Sequence, residues 1–130
     1  MQLESPKVKV AQSAEYIFNA LSDVKNFEKL MPESIAKFEV TGEDSFIFAL
    51  KGMPEIKLKK KEATPNSQIV LGAASDKLPF TLTGNITEVD ANNTEIQLQF
   101  EGSFNPMMAM MVKGPIGKFI EALAGNMNKL

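Results

Sequence analysis

The side chains able to do chemistry are few, and what is missing narrows the field first. The chain has 130 residues with no His, no Cys, no Trp and a single Tyr, and all 14 of its basic residues are lysine. Without His there is no imidazole to move protons near neutral pH and no Ser-His-Asp triad. Without His or Cys, a zinc site would be all carboxylate, a poor donor set for that metal. Without Arg there is no bidentate fork for phosphate, carboxylate or guanine. What remains is Tyr16, Lys60 and a scatter of acids. The Tyr16 hydroxyl can hydrogen-bond a guest, although such a residue more often packs with its polar tip wet. Lys60 shares strand parity with Ile56 and Leu58, which would turn it inward to meet a ligand carboxylate, Glu62 or Glu88. We prefer the plainer reading, that the strand bulges or ends there. Glu39, Glu88, Glu95 and Glu101 fall at outward positions or beside turns, and no spacing forces two of them together for acid–base work. The expectation is no catalytic residue, no metal and no cofactor. The chain inclines away from catalysis without deciding the matter.

The elements that must position these groups follow from periodicity. Val8 and Val10 alternate with Lys7 and Lys9 in an opening strand, which Pro6 makes an edge or a bulge. Ser13 caps a short helix carrying Tyr16, Ile17, Ala20 and Leu21. Asp23 caps a second one, with Val24, Phe27, Leu30 and Met31, and Pro32 stops it. A period of two then takes over: Phe38 and Val40; Phe46, Phe48 and Leu50; Ile56 and Leu58; Ile69 and Leu71; Phe80, Leu82 and Ile86; Ile96, Leu98, Phe100 and Phe104. Turn residues separate these runs at Gly42–Asp44, at Pro65 and Asn66, and at Asp90–Asn93. One apolar and one solvated face per strand is the pattern of an antiparallel sheet covered on one side. From Asn105, a good N-cap, followed by Pro106, a good first residue, a long helix runs towards Leu130. Its apolar residues recur at Met108, Met111, Val112, Phe119, Ala122 and Leu123, with Ile116, Ile120 and Met127 alongside. Gly114-Pro115 should interrupt it, as a kink or as a hinge.

Composition sets the outer bounds. The length suits a single domain over 1–130, able to bury about two thirds of the surface of its unfolded chain. A net charge of −2 gives no field to attract nucleic acid, so that partner is not expected. Zero Cys, an opening MQLESPKVKV without an apolar signal-peptide core, and no apolar run long enough for a span make a soluble, cytoplasmic protein the default.

The order strand, two helices, six strands, long helix, with the stretch Ser13-Ala14-Glu15-Tyr16-Ile17-Phe18, then Leu21-Ser22-Asp23 and Met31-Pro32, resembles the START-like, or Bet v 1-like, helix-grip superfamily that includes the polyketide cyclase/dehydrase proteins. Within it the chain looks most like the small bacterial proteins grouped with carbon monoxide dehydrogenase. The resemblance implies an α+β fold, with a seven-stranded antiparallel sheet wrapped around the C-terminal helix. It also implies a cavity between them for lipids, sterols, polyketides or other apolar molecules. Some relatives are enzymes that use polar cavity groups, and this chain departs from them in having no His, Arg or Cys.

On this reading the concave face is lined by Phe46, Phe48 and Leu50, by Ile56 and Leu58, by Ile69 and Leu71, by Phe80 and Leu82, and by Ile96, Leu98 and Phe100. Tyr16 and Phe27 would join them from the early helices, and Met108, Met111, Val112 and Phe119 from the last. At any one position ordinary core packing is the simpler account. Collectively, the flexible methionines at 107, 108, 110 and 111 suit a surface that adapts to apolar shapes. An empty cavity of ~300 Å³ would cost on the order of 7 kcal/mol, against a typical total stability of about 5 to 15 kcal/mol. The free protein should therefore hold a narrow pocket beside residues 107–123 that widens for a small hydrophobic ligand. Lys57, Lys59 and Lys61 should sit on the solvated face, where lysines also discourage edge pairing. A weak membrane or protein contact through Met107–Met111 and Lys57–Lys61 stays open, as does the choice between monomer and homodimer.

Overall fold

Strict alternation builds one antiparallel sheet. The computed structural model describes residues 2–33, 35–51, 55–73, 80–103 and 105–130, with Met108 and Val112 described by backbone alone. Phe104, expected to close the last strand, lies outside the described residues. The strands are β1 (Gln2–Glu4), β2 (Val8–Val10), β3 (Ile35–Val40), β4 (Ser45–Leu50), β5 (Ile56–Thr64), β6 (Gln68–Ala73), β7 (Phe80–Asp90) and β8 (Asn93–Gly102). Their order is β1-β8-β7-β6-β5-β4-β3, with β2 also on β8.

β1 and β2 are the two ends of one interrupted strand, so the sheet has the seven strand positions expected from the resemblance. Leu3 pairs with Phe100 and Val8 with Ile96, a slip of one residue across Pro6. Ser5 repairs the ladder where the proline has no N–H to give. Its hydroxyl accepts from the Leu98 N–H at 2.9 Å and donates to the Pro6 carbonyl at 3.0 Å, while its own N–H donates to the Leu98 carbonyl at 2.8 Å. Ser5 is buried, and this pairing satisfies a polar group that would otherwise be costly to bury.

Local caps set the helices as the residue types demand. Ser13 Oγ accepts from the Tyr16 N–H at 3.1 Å and starts α1 (Ala14–Ser22), whose buried residues are Ala14, Ile17 and Leu21. Asp23 Oδ1 accepts from the Lys25 N–H at 3.0 Å, and a 3-10 turn leads into α2 (Phe27–Leu30). α1 lies across β6, β7 and β8.

The long helix, α3 (Pro106–Gly125), starts where Asn105 and Pro106 placed it, and a 3-10 turn (Asn126–Lys129) extends it. Two expectations are corrected here. Gly114-Pro115 does not break α3, which runs unbroken through Pro115. A proline removes one hydrogen bond, whereas Ile116, Phe119, Ile120, Leu123, Ala124 and Met127 are all buried and anchor the helix beyond it. The apolar stripe does not run the helix's full length either. Met107, Met110 and Met111 are 75%, 84% and 66% exposed, so Met111 faces outward and only the C-terminal half of α3 packs inward.

The sheet curls around that half. The Phe119 ring stacks on Phe48 of β4 at 4.6 Å and 5°, while α3 also touches β8 and β1. One helix can meet strands so far apart in sheet order only if the sheet bends around it. The outer rim at β3 is guarded by charge: Lys37 Nζ lies 2.9 Å from Glu55 and 3.7 Å from Glu39, and β3 itself is bulged between Ile35 and Lys37.

Candidate ligand-binding site

The concave face gathers most of the residues expected there. Phe46, Phe48, Leu50, Ile56, Leu58, Ile69, Leu71, Phe80, Leu82, Ile96, Leu98 and Phe100 are buried in one core with Phe27 and Phe119. Towards β3 and β4 this face is filled by aromatic contacts. Phe46 stacks on Phe27 at 5.3 Å and lies 5.3 Å from Phe38 and 6.2 Å from Phe48. Such pairs add to area burial and hold the rings in fixed relation.

Towards β6, β7 and β8 the packing is looser. Leu21 of α1 and Phe27 of α2 roof a cavity of about 10 Å³ whose floor is Ile69, Leu71, Leu82, Gly84 and Leu98. That volume is near the least that can hold one water, and no lining side chain carries a polar atom to bind one. The space is therefore dry and too small for a guest without movement of its walls.

Its position differs from the one expected. This cavity sits under α1 and α2 rather than beside 107–123, because the outer half of α3 carries its methionines outward and the inner half is plugged by Phe119 against Phe48. Tyr16, on α1, is 44% exposed, so most of its ring lies outside the concave face. The side chains of Met108 and Val112 lie outside the described residues. Leu21 and Gly84 are cavity walls that strand alternation alone does not mark. Gly84 is legible in principle, because it interrupts the inward series Phe80, Leu82, Ile86 with a residue that has no side chain.

Lys60 is the charged group nearest this region, and the plainer reading of it is correct. β5 bulges between Lys60 and Glu62, then continues to Thr64. Lys60 Nζ lies 3.2 Å from Asp44 Oδ1 and donates to the Ser22 carbonyl at 3.3 Å. Its partners are thus an acid on the β3–β4 hairpin and the C-terminal end of α1, where a cation is favoured by the helix dipole. Neither Glu62 nor Glu88 is its partner. The lysine pins the roof helix to the sheet.

The convex face is polar. Lys57, Lys59 and Lys61 are exposed there as expected, and the Lys61 stem lies over Gly72, where an added Cβ would sit 2.8 Å from it. A row of amides crosses four strands: Gln68 donates to Asn85 at 3.0 Å, Asn85 to Gln99 at 2.9 Å, and Gln99 to Glu4 at 3.3 Å. Glu39, Glu88 and Glu101 are exposed, and Glu95 lies 3.9 Å from Lys7. The Glu55 carboxylate hydrogen-bonded to Lys37 raises that lysine's pKa, and the Asn92 and Asn93 donors lower that of Asp90. Both groups are on the outer surface. Among the described residues, no cluster of three His, Cys, Asp or Glu can hold a metal ion, and no helix is long and apolar enough to cross a membrane.

No family model and no curated protein sequence matches the chain, so the narrower likeness to the proteins grouped with carbon monoxide dehydrogenase is not confirmed. Solved structures do match over its whole length. A norcoclaurine synthase point mutant from Thalictrum flavum, in complex with a transition-state analogue, is 16% identical with a TM-score of 0.74, covering 99% of this chain and 92% of that one. The same plant's enzyme in complex with dopamine and hydroxybenzaldehyde is 16% identical with a TM-score of 0.72, covering 99% and 84%. A START superfamily protein from Mycobacterium smegmatis is 17% identical with a TM-score of 0.68, covering 98% and 97%. With the curled sheet gripping α3, these likenesses establish that the chain has the START-like, Bet v 1-like helix-grip fold.

Proposed function

We propose that the protein binds and carries a small hydrophobic molecule between its sheet and its helices, with no chemistry of its own. The observation that supports this most is the dry, wholly hydrocarbon cavity under Leu21 and Phe27, on a concave face otherwise closed by large apolar side chains. Ligand sites are usually apolar concavities, and an apolar guest that pushes the roof open would replace protein contacts with contacts of its own. The fold neighbour holding dopamine and hydroxybenzaldehyde shows this architecture opened around ring-bearing guests in that protein. Here the described concave face offers no acid–base pair to act on one.

The test is native mass spectrometry of protein purified from its own host, followed by thermal unfolding with added apolar compounds. A ligand present at 100 times its Kd should stabilise the fold by about 2.7 kcal/mol, a melting shift of several degrees. A Phe48→Trp variant, enlarging a ring that is 1% exposed, should displace the adduct. Adduct-free protein whose melting point no apolar compound moves would sink the reading.

A second reading has its own observation. Met107, Met110 and Met111 form an exposed stripe at helical spacing, near the exposed Lys113 and Lys118, as an accessory protein touching a partner or a membrane would need. Substituting the three methionines by serine should abolish such a contact and leave ligand adducts intact.

A further inference from the structure

Gly84 lies in the middle of β7, faces inward, and has none of the usual structural reasons to be glycine. Its φ is not positive. The register with β6 and β8 is continuous through it, Ile69 and Leu98 being its partners, so it is not a bulge. No backbone crowds it either. A Cβ built there would meet Leu98 Cδ2 at 3.6 Å and the Ile69 carbonyl oxygen at 3.9 Å, both ordinary contacts. Glycine inside a strand is destabilising through its backbone entropy, and here it also leaves a gap that a methyl group would fill. The gap is the cavity itself, whose floor is Gly84 between Leu82, Ile69 and Leu98.

We infer that Gly84 is the specificity-determining floor of the ligand site, keeping open a slot for the methyl end of an unbranched alkyl chain. This rests on the carrier reading above. The ligand class follows from the walls. Every lining side chain is aliphatic except Phe27, none can hydrogen-bond, and the space is about 10 Å³, so what enters deepest is slender and uncharged. The polar end of such a guest must lie elsewhere, towards the rim. Leu21 and Phe27 form the roof that moves, and the floor stays fixed because it belongs to three paired strands.

Saturated straight-chain carboxylates, octanoate through hexadecanoate, are titrated by calorimetry into the wild-type chain, Gly84→Ala and Ile69→Ala. Wild type should prefer one chain length. Gly84→Ala should weaken that carboxylate about tenfold and shift the optimum shorter by one or two carbons, since one methylene in an apolar slot is worth roughly that much. Its melting temperature should rise by about 2 to 5 °C, because the strand loses a glycine and gains a packed methyl. Ile69→Ala, which deepens the slot from the neighbouring strand, should move the optimum longer; it serves as the reading even if Gly84→Ala does not fold. An unchanged chain-length preference in both variants overturns the inference and leaves the carrier reading standing. A wild-type protein that binds none of the carboxylates but binds ring compounds also overturns this inference alone. One that binds no apolar compound at all fails the carrier reading.

Discussion

Ser5 shows how much a single hydroxyl can hold. It is buried and both accepts from and donates to backbone at the Pro6 bulge, so Ser5→Ala leaves the Leu98 N–H without a partner. The expected loss is about 1 to 3 kcal/mol, read from urea denaturation, and a loss near zero would mean the edge relaxes to find water. Phe119→Ala removes the ring stacked on Phe48 and should cost about 3 to 5 kcal/mol, measured the same way. Asp90 supplies a pH effect. Its carboxylate accepts from the Asn92 N–H at 2.9 Å and from Asn93 Nδ2 at 3.0 and 3.1 Å, which holds its pKa below the usual value. The folded pKa is thus the lower one, so the stabilisation is present above the unfolded-state pKa and disappears as pH falls through the folded one. The group is exposed, so the effect should be confined to the β7–β8 turn: Asn92 and Asn93 amide shifts should titrate with Asp90 and stay flat in Asp90→Asn.

At the scale of elements, α3 divides at Pro115 into an anchored half and a projecting half. The projecting half has three exposed methionines, and Met110→Ser should change stability by no more than about 0.5 kcal/mol. Pro115→Ala restores a missing backbone donor and should slow amide exchange over residues 107–113. Exchange unchanged there would show that the proline does not limit the outer turns. The same helix shows what can and cannot be read from sequence. Its start is legible because capping is local: Asn105 and Pro106 act on their own first turn. Its packing is not, because Met108, Met111 and Val112 have the same period as Phe119 and Leu123, and periodicity cannot say how far the partner sheet extends. The strands are readable because alternation and turn residues are also local, and Asn66 does take the left-handed conformation, φ 60°, that its turn requires. The position of the cavity is not readable. It depends on how α1 crosses β6 to β8, and its floor residue escapes notice because glycine has no side chain to mark a face.

On the scale of the whole molecule, a curled sheet that does not close on itself leaves two rims. One is short, interrupted at Pro6, and tied by Ser5 to its neighbour. The other is β3, six residues long, with a bulge and the Lys37, Glu39 and Glu55 charges beside it. Strand rims of that length template the addition of foreign strands, and bulges and charges are how folded proteins refuse them. Raising pH removes the lysine's charge only above its elevated pKa, so this refusal persists well into alkaline solution. Stripping it by Lys37→Val should turn the protein towards seeded fibrils, visible as a shortened lag in thioflavin fluorescence. Three ordinary surface charges thereby serve as this protein's quarantine against its own kind.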